Sequence, residues 1–449
     1  MERANAKNAA RAAVSGEAAA AAATAAAFSL LSHRRPLWYL LLPLLAVITL
    51  WLLLFSSRPA SPSVTLLTAS VASPSPLRRC SGRYIYVQEL PPRFNRDMIP
   101  DCWNLSIWTD LCQFSINGGL GPFLSNSAAV FSGAGWHVTD QFSLEVIFHS
   151  RMKNYPCLTS DSSLASAVYV PFYAGIDFTR HIWAGDNITV RDSTALDLVD
   201  WLTSRPEWAA MGGRDHFFIC LLAKMYMGMS EPNDVSVPYP TYFHPSEDGE
   251  VMEWQERMRL AARPWLFSFA GAPRPNMADS IRGELMEQCR GSRRCKLLDC
   301  GGDERRCYSP EKVMALFGSS VFCLQPKGDS YTRRSAFDAM VAGCVPVFFL
   351  PETAYWQYRW HLPENGSRYS VLVAEEEVKK GAVRVEEVLM RLGEEEVRGM
   401  REEVVRMIPG LVYGNPMNNK MEKMKDAFDL AVERVIKRVQ RRKRELRRS

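Results

Sequence analysis

The stretch from Cys323 to Val347, CLQPKGDSYTRRSAFDAMVAGCVPV, gathers glycine, hydroxyl, guanidinium and carboxylate groups at spacings that suit an anionic ligand. An apolar strand is predicted to end at Leu324. A polar loop with Gly328, Asp329 and Ser330 follows, and a helix is predicted to begin near Thr332. Strand, loop and helix in that order set unpaired backbone N–H groups and the positive end of a helix beside the carboxyl edge of a sheet, where a diphosphate is stabilised. Arg333 and Arg334 supply fixed positive charge, and Asp338, one to two turns into the helix, can accept hydrogen bonds from ribose hydroxyls. The loop lacks the GxxxxGK[ST] spacing of a P-loop, and the same residues also read as a glycine turn and helix cap in an ordinary α/β crossover. No DxD triplet occurs, and the seven histidines form no HxH or HExxH pair. A sugar-nucleotide enzyme of this composition would neutralise diphosphate with helix ends and basic side chains, so no metal or other cofactor is expected to be required.

The elements that must position this loop are legible around it. Short apolar runs alternate with helix-like segments, the pattern of parallel α/β layers. Strands are predicted at 84–87, 167–171 and 216–219, with a helix over 142–152. A second series of strands is predicted at 265–269, 296–298, 321–324, 345–349 and 369–373, separated by helices near 280–289, 310–317, 335–341 and 385–392. Two α/β lobes result, 80–250 and 251–430. Helices follow at 394–408 and from 425 to about 441, and residues 431–449 form a basic tail. That tail reads first as a solvated helix end, and more sharply as a surface for an acidic polysaccharide or anionic lipid.

Of the 449 residues, 47% are hydrophobic and 23% charged, which excludes a wholly disordered or collagen-like chain. A net charge of +5 is weak for this length, so nucleic acid is not an expected partner. Leu37 to Phe55 is an uncharged apolar run, close to the roughly 20 residues that cross a bilayer as a helix. Arg3, Lys7, Arg11, Arg34 and Arg35 precede it and Arg58 alone follows closely, which predicts a signal anchor at 37–55 with a cytosolic tail, 1–36, and a lumenal remainder. The Ser- and Pro-rich segment 56–79 reads as a stalk. Asn104, Asn187 and Asn365 open N-glycosylation sequons on the lumenal side.

All 11 cysteines also follow the apolar run, where disulfides form. Cys102 with Cys112, and the cluster Cys289, Cys295, Cys300 and Cys307, read as loop staples of undetermined connectivity. A zinc site in that cluster is disfavoured, because it has no CxxC pair and no nearby His. Cys220, in an apolar run, is the candidate for the odd cysteine.

The block from Cys323 to Phe349 resembles the signature of the plant exostosin-like glycosyltransferases, glycosyltransferase family 47, in their xyloglucan galactosyltransferase branch. Supporting segments run through most of the lumenal part, among them CSGRYIYVQELPPRFN at Cys80, AVYVPFYAGIDF at Ala167, GGRDHF at Gly212, PYPTYFHP at Pro238 and RPWLFSFAGAPRP at Arg263. The resemblance implies a type II Golgi membrane enzyme of the GT-B type, with two facing Rossmann-like lobes. It implies UDP-galactose as donor, the xylose side chains of xyloglucan as acceptor, and inversion at the transferred carbon; other Golgi glycosyltransferases are possible partners.

On this reading the second lobe holds the nucleotide through Gly328, Asp329, Ser330, Thr332, Arg333, Arg334 and Asp338. Inversion requires a base for the acceptor hydroxyl, expected from the first lobe. Glu145 and Asp177 lead the candidates, followed by His149, Asp215 and His216. Trp103, Trp108, Trp136, Tyr173, Tyr239, Tyr242 and Trp360 are candidates for stacking on glucan rings. One departure stands out. Related sequences carry several tens of residues between GGRDHF and PYPTYFHP that this chain lacks, so the first lobe reads as shortened near 220–236. Alternatives are therefore a transferase of the same family with another donor or polymer, and a non-catalytic binding member.

Overall fold

Two parallel sheets organise the chain. The computed structural model describes residues 80–448 apart from 105–109, 125–129, 132, 183–186, 221–234, 278 and 303–306. The leader, apolar run and stalk assigned from sequence, and most of the shortened stretch near 220–236, lie outside the described residues. Among the described residues no helix is long and apolar enough to cross a membrane.

The first sheet contains β1 (Ile85–Val87), β2 (Leu158–Thr159), β3 (Ala167–Tyr169) and β4 (His216–Phe217). Its order is β2-β1-β3-β4, with every pairing parallel. Helices α1 (Leu144–Lys153), α2 (Ala174–Ile182) and α3 (Ile188–Thr203) belong to this half. Strand β2 goes beyond the sequence reading, since its stretch, YPCLTSD, holds no apolar run.

After α4 (Asp248–Leu260) comes the second sheet. It is built from β5 (Trp265–Gly271), β6 (Cys295–Asp299), β7 (Ser320–Gln325), β8 (Val345–Phe348) and β9 (Val371–Leu372), in the order β6-β5-β7-β8-β9. These pairings are also parallel. Between the strands lie α5 (Arg282–Arg290), α6 (Pro310–Gly318) and α7 (Arg334–Val341). The local signals are strong. Ser309 caps α6 by accepting from the Lys312 N–H, with Pro310 at the first helical position. Gly343, at φ +66°, closes α7 in the left-handed region, where a Cβ would lie 2.7 Å from the Arg263 guanidinium. All four residues of β8 are buried, as expected of a central parallel strand.

The two halves share one winding. In each sheet the first strand sits second in the order, with the second strand on one side and the third on the other. The first and third strands thus flank a switch point in both sheets.

The chain ends in α8 (Glu394–Met407) and α9 (Ala427–Leu446). The basic segment from 431 onward is not simply a solvated helix end: Ala431, Val432, Ile436 and Val439 are buried, because α9 packs back on the first half. There Lys443 donates to the Ala165 carbonyl at 3.1 Å and Gln440 to the Gly82 carbonyl at 2.8 Å. The start of α9 is pinned by Asp426, which is fully buried. It caps the helix, accepts from the Gly414 N–H at 2.7 Å and pairs with Arg151 of α1 at 2.9 Å.

Ten cysteines form five disulfides. Cys102–Cys112, Cys289–Cys295 and Cys300–Cys307 are the short staples read from sequence, while Cys80–Cys157 and Cys323–Cys344 join elements distant along the chain. Cys220 is outside these pairs, as assigned.

Candidate active site

The crevice outside the carboxyl ends of β5 and β7, at the switch point of the second sheet, is where an open parallel sheet binds ligands. Two loops edge it, 272–281 after β5 and 326–333 after β7. The second is the loop singled out in the sequence. The Gly328 N–H donates to the Ser330 carbonyl at 3.1 Å, the Ser330 hydroxyl to the Thr332 carbonyl at 2.8 Å, and the Thr332 hydroxyl is bonded to that of Tyr358. Arg333, extended at the entry to α7, lays its guanidinium over Gly328 so closely that a Cβ there would fall 1.5 Å from a guanidinium nitrogen. Glycine at 328 is what leaves room for that charge.

Sequence reasoning missed the residues that the first loop adds. Arg282, the first residue of α5, is buried against Gly271, its guanidinium 5.6 Å from the Phe269 ring. Its Nε has no hydrogen-bond partner among the described residues. Arg274 pairs with Asp329 at 3.3 Å. Burial, reinforced by Arg333 and Arg274, pulls the Arg282 guanidinium down to about 9. Burial likewise lowers Arg333, against the opposing pull of Asp329. Three guanidinium groups therefore crowd one nearby carboxylate, Arg282 buried, Arg333 half-buried and Arg274 exposed with Asp329, an excess of positive charge that an incoming dianion would relieve. The available signal was positional: in RPWLFSFAGAPRP the strand runs into Arg274, and Arg282 opens the next helix.

Arg334 and Asp338 are turned toward each other and toward the first half. Arg334 approaches Asp338 at 3.3 Å, lies 3.9 Å above the Tyr242 ring and donates to the Thr139 carbonyl. Asp338 is 3% exposed, and burial, outweighing Arg334, raises its carboxyl to about 6. The ribose and phosphate roles read from sequence thus fall on a pair that is engaged beneath the loop.

The candidate bases of the first half separate clearly. Glu145, 1% exposed, accepts from the backbone N–H groups of Gly175 at 2.8 Å and Ile176 at 3.3 Å, so its carboxylate caps the N-terminus of α2. Asp177 is buried and bonded to Arg180. His149 shares a 3.0 Å hydrogen bond with the Tyr173 hydroxyl, and burial, with Lys153 and Arg96 nearby, lowers it to about 4. His216 instead lines a cavity of about 810 Å³, together with Leu144 of α1, Thr332 of the 326–333 loop and its partner Tyr358, and Arg438 of α9. Tyr239 and Trp360 share that wall. Trp136 is core, stacked on Phe243 at 4.7 Å, Tyr173 and Tyr242 are buried, Trp103 is exposed, and Trp108 lies outside the described residues.

Asn104, Asn187 and Asn365 are exposed, as glycan acceptors must be. Asn187 caps α3 and Asn365 caps a short turn through the side-chain oxygen, which leaves the amide nitrogen for a glycan. Among the described residues no group of three or more His, Cys, Asp or Glu is placed to hold a metal ion.

A parallel sheet with clustered guanidinium groups at its switch point defines an α/β protein suited to a phosphate-bearing ligand. The chain belongs to the exostosin GT47 family: residues 79–232 and 227–389 match the Exostosin GT47 domain. It is 51% identical over 392 residues to the xyloglucan galactosyltransferase MUR3 of Arabidopsis thaliana, covering 81% of this chain and 63% of that protein. It is 44% identical over 396 residues to the probable xyloglucan galactosyltransferase GT12 of the same plant, covering 80% and 77%. The xyloglucan-specific galacturonosyltransferase 1 of A. thaliana is 39% identical over 392 residues, covering 80% and 58%. This chain thus spans under two thirds of the length of the first relative. Among solved structures, the GtfA/B complex aligns with a TM-score of 0.29 at 10% identity over 66% of this chain and 60% of that one, too low to bear on the fold.

Proposed function

We propose that the protein is a xyloglucan glycosyltransferase of the GT-B arrangement, moving galactose from UDP-galactose to xylose side chains with inversion. Its setting on this reading is the Golgi membrane, held by the 37–55 anchor with the enzyme part in the lumen. The observation that carries the reading is the Arg274, Arg282 and Arg333 cluster at the second switch point. The relatives named as xyloglucan galactosyltransferases supply the sugar and the polymer.

The chemistry follows from charge. As the bond from the anomeric carbon to the diphosphate breaks, negative charge grows on the leaving oxygen, and preoriented guanidinium and backbone N–H donors stabilise it without reorganisation. In this reading Gly328, Asp329, Ser330 and Thr332 shape the loop, and Arg333, Arg274 and Arg282 carry the charge. Arg334 and Asp338 fix the loop's helix against the first half.

A second reading changes only the donor. The similarity to a galacturonosyltransferase makes a UDP-uronic acid the specific rival. The test incubates the protein with xylosylated glucan oligosaccharide and a panel of UDP-galactose, UDP-galacturonic acid, UDP-glucuronic acid and UDP-arabinose. Gain of one hexose from UDP-galactose alone is the expected outcome. Uronic acid transfer establishes the rival, and absence of transfer from every donor overturns both.

A further inference from the structure

We infer that His216, oriented by Asp215, is the group that takes the proton from the acceptor hydroxyl; the inference rests on the transferase reading above. The two side chains are 5% and 9% exposed, and His216 Nδ1 lies 2.9 Å from Asp215 Oδ1. A carboxylate only accepts, so the neutral ring carries its proton on Nδ1 and donates it to Asp215, leaving the lone pair on Nε2. Nε2 is buried and has no hydrogen-bond partner among the described residues. A polar atom left so is costly unless a ligand meets it.

The ring sits where such a ligand would come. His216 begins β4, on the edge of the first sheet, and lines the 810 Å³ cleft with Thr332 and Tyr358. Thr332 adjoins Arg333 of the proposed diphosphate site. Trp208 packs against the imidazole with ring centres 5.1 Å apart, which limits its rotation. The other charged groups on the cleft wall are Arg214 before β4 and Arg438, Arg442 and Glu445 of α9. None of the other first-half candidates combines a spare ring nitrogen with a place on this cleft: Glu145 caps α2, Asp177 binds Arg180 and His149 binds Tyr173.

The step balances. The acceptor oxygen forms a bond to the anomeric carbon of the nucleotide sugar while its proton passes to Nε2. The bond from that carbon to the diphosphate oxygen breaks, and its electron pair leaves with UDP. The imidazolium, stabilised by Asp215, returns the proton to water. Asp215 is a positioning residue and does not exchange a proton.

The test compares full-length wild type, His216→Ala and Asp215→Asn for kcat and acceptor KM of galactosyl transfer, for UDP affinity by calorimetry, and for thermal midpoint. His216→Ala is expected to lower kcat by roughly 10²- to 10⁴-fold, the usual range for a lost general base, with UDP affinity close to wild type and a thermal midpoint only a few degrees lower, because buried Asp215 loses its partner. Asp215→Asn is expected to lower kcat by roughly 10-fold or more while acceptor KM and UDP affinity stay close to wild type, a split that a merely structural residue would not give. A folded His216→Ala variant with kcat within about threefold of wild type, or an Asp215→Asn variant whose kcat is unchanged, overturns the inference and leaves the transferase reading intact. Failure of wild type to transfer any sugar sinks both.

Discussion

Replacing Arg282 with Met should weaken UDP binding without destabilising the protein, a combination that a purely structural arginine cannot give. In the folded protein, burial and the neighbouring Arg333 and Arg274 hold this guanidinium down at about 9, against an ordinary value of 12.5. Between those two pH values the unfolded chain binds the extra proton, so stability rises with pH across that window. At neutral pH both states are protonated and the whole penalty is present. One pH unit is worth about 1.4 kcal/mol, so holding the charge without a bound anion costs on the order of 5 kcal/mol. Methionine removes that penalty while keeping most of the volume against Phe269. The thermal midpoint without ligand should therefore hold or rise by several degrees. With a phosphate bound, the arginine supplies charged hydrogen bonds worth roughly 1.5–3 kcal/mol, so the UDP dissociation constant should rise about 10- to 150-fold. Titration and scanning calorimetry on one preparation read both quantities. An unchanged affinity together with a lowered midpoint would refute the reasoning and leave Arg282 a core residue.

Other substitutions probe separate links. Gly328→Ala puts a methyl where the Arg333 guanidinium lies, and because only the end of a flexible side chain must move, stability should stay within about 1 kcal/mol while UDP affinity drops at least fivefold. Glu145→Ala leaves two buried N–H groups of α2 without their acceptor and should cost about 2–4 kcal/mol in urea denaturation, whereas Glu145→Gln should cost less and keep kcat within about threefold. A hundredfold loss of kcat in stably folded Glu145→Gln would return this residue to the chemistry. Arg151→Ala strands the buried Asp426 carboxylate and should cost about 3–5 kcal/mol, read as a lowered denaturation midpoint. The double change Cys80→Ser, Cys157→Ser opens a loop spanning 77 positions and should cost about 4–5 kcal/mol by the chain-entropy relation, checked in the same assay.

The layers were legible in the sequence because parallel strands buried on both faces read as continuous apolar runs, as VPVF of β8 and SVFCLQ of β7 do. The strand–loop–helix turn at 326–333 was legible because Gly328 lies between such a strand and an amphipathic helix. What stayed hidden is whatever depends on contacts across the chain. Arg282 looks like any basic residue at a helix start until the β5 and β7 loops are brought side by side. Arg334 and Asp338 match the pattern for phosphate and ribose, yet their four-residue spacing on a helix lets them pair with each other once buried. Glu145 and Asp177 have the acidity and place of a base, yet Glu145 caps α2 and Asp177 binds Arg180 within it. For α9, charge at the end of the helix masked an apolar face at Ala431, Val432, Ile436 and Val439 that meets the first half.

The central claim, that the switch point of the second sheet holds the donor diphosphate, is tested most directly by amide hydrogen exchange of the full-length protein with and without UDP. Slowed exchange should concentrate in residues 326–334 and in 271–282. Protection confined to other segments, or none at UDP concentrations that saturate binding, would contradict it.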